Sequence, residues 1–191
     1  RTFHVRSMGK GPQGLVGALR STAAARDVTL RYLRDTARYG SADHEADVAL
    51  VLEVGANAVR LAHYPHPERF LALCARAGLL AWVEVPFVDS FMGGYADTPA
   101  FRENGKQQLR EMIRQGMNHP SVFLWGLYNE LTERGGRGPA QLAYVKELQA
   151  LAKEEDPGRP TTAASLLGPK NPLVSVPDTI AFNRYFGWYN G

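Results

Sequence analysis

An α/β fold, a partial (β/α)8 TIM-type barrel with about strands 2–6 present and the last strands missing, is predicted by three observations. Short strands that are apolar along their whole length alternate with amphipathic helices from Ser41 onward, a pattern that indicates a parallel sheet covered by helices. The polar residues fall at the C-terminal strand ends, as His63-Tyr64, Glu84, Asn129-Glu130 and Asn183-Arg184-Tyr185, the edge where such barrels carry their active sites. No Gly-rich phosphate turn follows any strand, which weighs against the main alternative, a doubly wound sheet.

Each element follows from local signals. Ser41 and Asp43 are N-cap residues for a helix running through about Glu53 and closed near Gly55, with Ala46, Ala49 and Leu50 expected on its inner face. A β-rich run, Ala58-Val59-Arg60-Leu61-Ala62, ends in the loop His63-Tyr64-Pro65-His66. Pro67 suits the first position of a second helix, in which Phe70, Leu73, Cys74 and Ala77 keep helical spacing and Gly78 caps the end. Leu79–Val85 reads as a buried strand, followed by a long loop around Phe87–Thr98. The third helix begins near Pro99, with Leu109, Met112, Ile113 and Gly116 on one face, and is broken by Asn118-His119-Pro120-Ser121. The apolar strand Val122–Tyr128 then runs into Asn129-Glu130. A Gly/Arg-rich loop from Gly135 to Pro139 leads to a fourth helix carrying Tyr144, Leu148 and Leu151. Asp156-Pro157-Gly158 turns the chain into a strand near Thr161–Ala164, and Thr179–Phe182 makes the last strand.

Residues 1–40 do not continue this pattern and form an unassigned basic segment; residues 41–191 form the partial barrel. The chain has 191 residues, 45% of them hydrophobic and 21% charged, the composition of a globular domain rather than a disordered tract. Its net charge of +3 is unevenly placed. Eight Arg/Lys against two Asp give +6 in residues 1–40, and fourteen against seventeen give −3 in the remainder. No aromatic-interleaved stripe or groove-reading motif accompanies the basic segment, so a nucleic-acid partner is not expected. No apolar run approaches the roughly 20 residues of a membrane span, so no membrane partner is expected either. Residues 1–30 lack a signal-peptide core, which favours a cytoplasmic setting, with the true N-terminus expected upstream of Arg1. One cysteine, Cys74, excludes an internal disulfide framework and multi-cysteine metal sites, and its helical position makes it a small core residue.

Glu130 is the leading candidate for chemistry. A carboxylate placed after a fully apolar strand sits where burial favours the protonated form that a general acid needs; the bland alternative is an acidic residue opening a helix. Asn129 would orient a substrate hydroxyl, or else belong to the turn. His63 and His66 flank Tyr64-Pro65, but the proline opposes a shared helical face and no third ligand accompanies them, so no metal site is expected. His63 reads as a hydrogen-bonding strand-end residue and His66 as a loop residue. Glu84 would orient neighbours or bind substrate, or else be a buried strand-end carboxylate paired with an arginine such as Arg60. Tyr185, Phe186, Trp188 and Tyr189 form an aromatic cluster suited to the C–H faces of sugars or to a core. His119 fixes a turn, and Arg134-Gly135-Gly136-Arg137-Gly138 lacks the lysine and spacing of a phosphate loop.

At these residues a family resemblance emerges. Asn118-His119-Pro120-Ser121-Val122-Phe123-Leu124-Trp125-Gly126-Leu127-Tyr128-Asn129-Glu130 resembles the acid/base signature of glycoside hydrolase family 2. Asn57-Ala58-Val59-Arg60-Leu61-Ala62-His63-Tyr64-Pro65 resembles its preceding strand and loop, and Asn183-Arg184-Tyr185-Phe186-Gly187-Trp188-Tyr189 its later strand-end motif. The segments Ala62–Pro67 and Leu79–Pro86 look most like those of bacterial β-galactosidases, while β-glucuronidases share much of the pattern. The resemblance implies retaining hydrolysis of terminal β-D-galactosides, with β-glucuronides or another family 2 substrate as the alternative. Glu130 would be the general acid/base, and His63, Asn129, Asn183, Tyr185 and Trp188 would contact the sugar, with Arg60 and Glu84 in orienting roles. No cofactor is identifiable, although some relatives use magnesium and sodium.

Two departures shape the expectations. The nucleophilic glutamate of the family lies on the strand after Asn-Arg-Tyr, and no acidic residue follows Asp178 here, so the isolated chain is expected to be inactive. The last barrel strands and the β-sandwich domains of the family would be its missing partners. Residues 6–40 show neither the first barrel strand nor the loop expected after it, a discontinuity that a translated frameshift would produce and that the coding DNA tests. The competing reading is a non-catalytic sugar-binding or interaction remnant, supported by the aromatic segment Tyr185–Tyr189.

Overall fold

The computed structural model describes residues 41–88, 98–132 and 138–184. The basic segment 1–40, most of the loop after Phe87, most of the Gly/Arg-rich loop and the aromatic run from Tyr185 lie outside the described residues. The described elements, in chain order, are α1 (Ser41–Glu53), β1 (Ala58–Leu61), α2 (Glu68–Arg76), β2 (Leu80–Glu84), α3 (Pro99–Gly116), β3 (Val122–Asn129), α4 (Gly138–Glu155), β4 (Thr161–Ser165) and β5 (Ala181–Phe182). A short 3-10 helix, Pro172–Ser175, precedes β5. The strands are parallel and follow one another as β1-β2-β3-β4-β5. Strand order equal to chain order, with a helix at most crossovers and no reversal, is the winding of a (β/α)8 barrel and not of a doubly wound sheet.

The described residues divide into two compact units, one drawn from residues 41–83 and 116–123 and the other from residues 84–115 and 124–184. In the first, β1 pairs with β2 from Ala58↔Leu80 to Leu61↔Val83, and the Ala81 amide donates to Ser121 O. Every residue of β1 is buried, Arg60 included. Gly55 and Gly78 adopt φ of 72° and 70°, the left-handed turn that ends a helix and that glycine takes without steric cost. Pro67 stands one position earlier than expected, as the N-cap of α2 with ψ of 143°.

The face that α1 buries differs from the expected one. His44, Asp47, Val48 and Val51 are buried, whereas Ala46 and Ala49 are exposed and Leu50 is half-buried. The inner face includes two polar residues that an apolar pattern skips. The His44 ring meets Phe70 of α2 edge-on at 5.7 Å, so imidazole takes the place an aliphatic side chain would fill. Burial, and then the nearby Arg69 charge, hold the His44 pKa below its usual value.

In the second unit, the Val85 amide donates to Gly126 O and the Asn129 amide to Phe87 O. The register of β3 on β4 runs from Trp125↔Thr161 to Asn129↔Ala164 with an irregularity between Gly126 and Asn129. β4 pairs with β5 at Ala164↔Ala181 and Ser165↔Phe182. The core here is Trp125, Leu127, Tyr128, Leu131, Tyr144 and Leu148. All five residues of β4, Thr161-Thr162-Ala163-Ala164-Ser165, are buried although none is large. Among the described residues, no helix is long and apolar enough to cross a membrane.

Candidate active site

The site grows from the end of β3. Val-Phe-Leu-Trp-Gly-Leu-Tyr gives the strand its extended run, buried at Val122 and from Trp125 onward, and the chain turns sharply where it stops. Glu130 takes φ of 54°, a left-handed conformation that costs a side-chain-bearing residue on the order of 1–2 kcal/mol. Its amide nevertheless donates to Ala164 O at 2.8 Å, so the turn is tied to β4. The carboxylate is not solvated freely: Glu130 is 5% and Asn129 3% exposed.

From β5 the chain brings Asn183 to this pair. Its Nδ2 donates to Glu130 Oε1 at 2.6 Å and to Asn129 Oδ1 at 3.3 Å. The Asn183 amide N–H donates to Ser165 O at 2.9 Å, which fixes the main chain from which that side chain projects. Three of the expected site residues, Asn129, Glu130 and Asn183, thus form one hydrogen-bonded group. Glu84, also in the second unit, is 1% exposed at the end of β2.

Arg60 and His63 belong to the first unit. The Arg60 guanidinium lies 4.3 Å from the centre of the Trp82 ring, a cation–π contact within a buried strand. His63 is half-buried just beyond β1, after a cis Ala62–His63 peptide. His66 stacks on Tyr64 with ring centres 5.1 Å apart and planes within 1°, and its Nδ1 is 3.0 Å from Tyr64 O. Those contacts organise the loop and make His66 a loop residue, as its position implied. Tyr185 and Trp188 lie outside the described residues. Among the described residues, no cluster of three or more His, Cys, Asp or Glu is placed to hold a metal ion.

Sequence reasoning passed over Ser165. The strand extends one residue beyond Thr161–Ala164, which puts this buried serine at the same strand edge. Its Oγ accepts from the Leu167 amide at 3.0 Å and its carbonyl from Asn183. A serine closing a run of small residues, Thr161–Ala164, was the available signal.

The sequential parallel winding is matched among known proteins. The family model described as "Glycosyl hydrolases family 2, TIM barrel domain" matches residues 39–191. The chain belongs to glycosyl hydrolase family 2. A β-glucuronidase of Bacteroides fragilis is 51% identical over 165 residues, covering 82% of this chain and 23% of that protein. The crystal structure of a Bacteroides uniformis β-glucuronidase superposes with a TM-score of 0.71 at 36% identity, over 80% of this chain and 19% of that one. A putative β-galactosidase of Bacteroides fragilis superposes with a TM-score of 0.70, also at 36% identity, over 80% of this chain and 21% of that one. The chain therefore spans under a quarter of these family 2 relatives.

Proposed function

We propose that this chain carries the acid/base half of a retaining β-glucuronidase site, with Glu130 as the proton donor and acceptor. The observation that carries the reading is the buried Glu130 carboxylate at the end of β3, held by Asn183 Nδ2 at 2.6 Å. Beta-glucuronides replace the β-galactosides expected from the motif pattern because several of the curated relatives bear the name β-glucuronidase.

In this reading the protonated Glu130 gives its proton to the glycosidic oxygen as the anomeric C–O bond breaks. A second carboxylate, expected on the family's strand after Asn183-Arg184-Tyr185, attacks the anomeric carbon to form a glycosyl ester. Glu130, now ionised, takes a proton from the water that displaces that ester, which restores both carboxyl groups. Asn129 and His63, with Tyr185 and Trp188, contact the sugar. Arg60 and Glu84 shape the strands that carry those residues.

The test is hydrolysis of nitrophenyl β-D-glucuronide and nitrophenyl β-D-galactoside by the full-length gene product. Glucuronide turnover at a higher kcat/KM than galactoside, falling by about 100-fold or more in Glu130→Gln, is expected. Preference for galactoside would return the motif-based substrate. A folded protein inert on both, or a Glu130→Gln variant with unchanged kcat, would remove the acid/base reading.

A further inference from the structure

We infer that Asn183 is the positioning residue of the acid/base, acting on substrate through Glu130 and Asn129 rather than as a sugar contact in its own right. The inference rests on the acid/base reading of Glu130. Its starting point is a hydrogen bond between strands that are not neighbours. Glu130 follows β3 and Asn183 follows β5, with β4 between them, so their backbones stand about 10 Å apart, two strand spacings. The bond forms over Ala163-Ala164-Ser165, where no side chain has the bulk to interrupt it. Both ends are anchored on consecutive residues of that strand: the Glu130 amide on Ala164 O and the Asn183 amide on Ser165 O. The Arg184 guanidinium donates to Asn183 O at 3.1 Å, a further tie on the same main chain.

The chemistry of the amide settles its orientation. An amide NH2 group donates and cannot accept, so Glu130 Oε1, 2.6 Å from Asn183 Nδ2, is the acceptor. The same nitrogen donates at 3.3 Å to Asn129 Oδ1. That contact turns the Asn129 amide so that its own NH2 end, and not its carbonyl, faces away from Asn183. One side-chain nitrogen thereby orients the two residues that the reaction uses. With Oε1 engaged, the proton given and taken by Glu130 is carried on Oε2. Glu130 leaves the strand in a left-handed conformation on a side chain with three rotatable bonds, and the clamp narrows the rotamers that Oε2 can sample. Misplacement of about 1 Å costs proton transfer on the order of 100-fold.

Leaving-group dependence separates this role from sugar binding. Phenyl β-D-glucuronide needs a proton on its departing oxygen, whereas the dinitrophenyl glycoside leaves without one. The measurement is kcat/KM on both substrates for the full-length gene product and for its Glu130→Gln, Asn183→Ala and Asn183→Asp variants, with KM recorded separately. Asn183→Ala is expected to lose about tenfold or more on the phenyl substrate and less than about twofold on the dinitrophenyl one, with KM little changed. Asn183→Asp, equal in volume, replaces the donor by an acceptor and should lose at least as much. Equal losses on both substrates, or losses confined to KM, would make Asn183 a sugar contact and overturn the inference. Should Glu130→Gln itself show no leaving-group dependence, the acid/base reading fails first. If Glu130→Gln shows it and neither Asn183 variant does, only the positioning role fails.

Discussion

The Trp125 indole N–H donates to Asp156 Oδ2 at 3.0 Å, joining a fully buried residue of β3 to the turn that follows α4. Asp156 is itself 7% exposed. Its Oδ2 also receives Arg159 at 2.7 Å, while Oδ1 accepts from the Gly158 and Arg159 amides. Burial alone would oppose ionisation, but the bonds from Arg159 and Trp125 outweigh it and hold the pKa below the usual 3.8. A carboxylate with a depressed folded pKa contributes stability above its unfolded pKa, and that contribution is lost as pH falls through the folded value. Unfolding should therefore become easier below about pH 4 in the wild type. Asp156→Ala should cost about 1–3 kcal/mol at neutral pH, by stranding the buried indole N–H, and should lose the part of that acid-dependent step that Asp156 contributes. Thermal melts of both proteins at neutral pH and near pH 3 check this; equal pH slopes would contradict it.

Cys74 lies in α2 with 0% exposure, and burial pushes its thiol pKa up to about 12. A thiol reacts as its thiolate, so at neutral pH the group is both shielded and protonated. The native chain should leave a disulfide-exchange reagent unreacted over an hour and react fully once denatured, so labelling reports unfolding. Rapid labelling of the native protein would show that α2 opens readily.

Strands were the most legible part of the fold, because a run such as Val122–Tyr128 is apolar throughout and ends in polar residues whose position implies a site. Helix faces were less so. Counting apolar residues selected Ala46 and Ala49 in α1, whereas the buried face uses His44 and Asp47, whose polarity hides them from that count. Glu130 and Asn129 were visible from their place at the end of the apolar run Val122–Tyr128. The bond from Asn183 to Glu130 was not, since 53 positions and an intervening strand separate them. Nor did Asp156-Pro157-Gly158 signal more than a turn, because the partner of its carboxylate, Trp125, is set by tertiary packing alone.

Glu155, at the end of α4, is clasped by α3. Arg114 Nε donates to its Oε2 at 2.7 Å, and Arg114 Nη2 and Arg110 Nε to its Oε1 at 2.9 and 3.0 Å. The Arg114 bonds first, and then those from Arg110, hold its pKa below the ordinary glutamate value. Arg114 is 63% exposed, so water and salt screen much of this attraction. Glu155→Gln should destabilise by about 1 kcal/mol or less, and the difference from wild type should shrink further in 1 M salt, where the screening length is about 3 Å. Denaturant melts of the pair at low and high salt measure it; a difference that grows with salt would point to packing instead of charge.

Gly105, in the middle of α3, tests the packing of α3 on α4. A methyl group added there would stand far inside van der Waals contact distance of Tyr144 Oη. Tyr144 cannot step aside cheaply: it is 1% exposed, its hydroxyl donates to Arg102 O at 3.2 Å, and its ring lies edge-on to Phe87 at 5.2 Å. In an exposed helix interior, Gly→Ala would stabilise by about 1 kcal/mol through backbone entropy. Here overpacking of roughly 1–3 kcal/mol should reverse the sign, so Gly105→Ala is expected to destabilise. Tyr144→Phe removes the obstructing oxygen and, with it, the bond to Arg102. A double-mutant cycle should therefore show Gly105→Ala to be neutral or stabilising in the Tyr144→Phe background, with a coupling of about 1 kcal/mol or more. If Gly105→Ala has the same cost in both backgrounds, the glycine is required by something other than Tyr144.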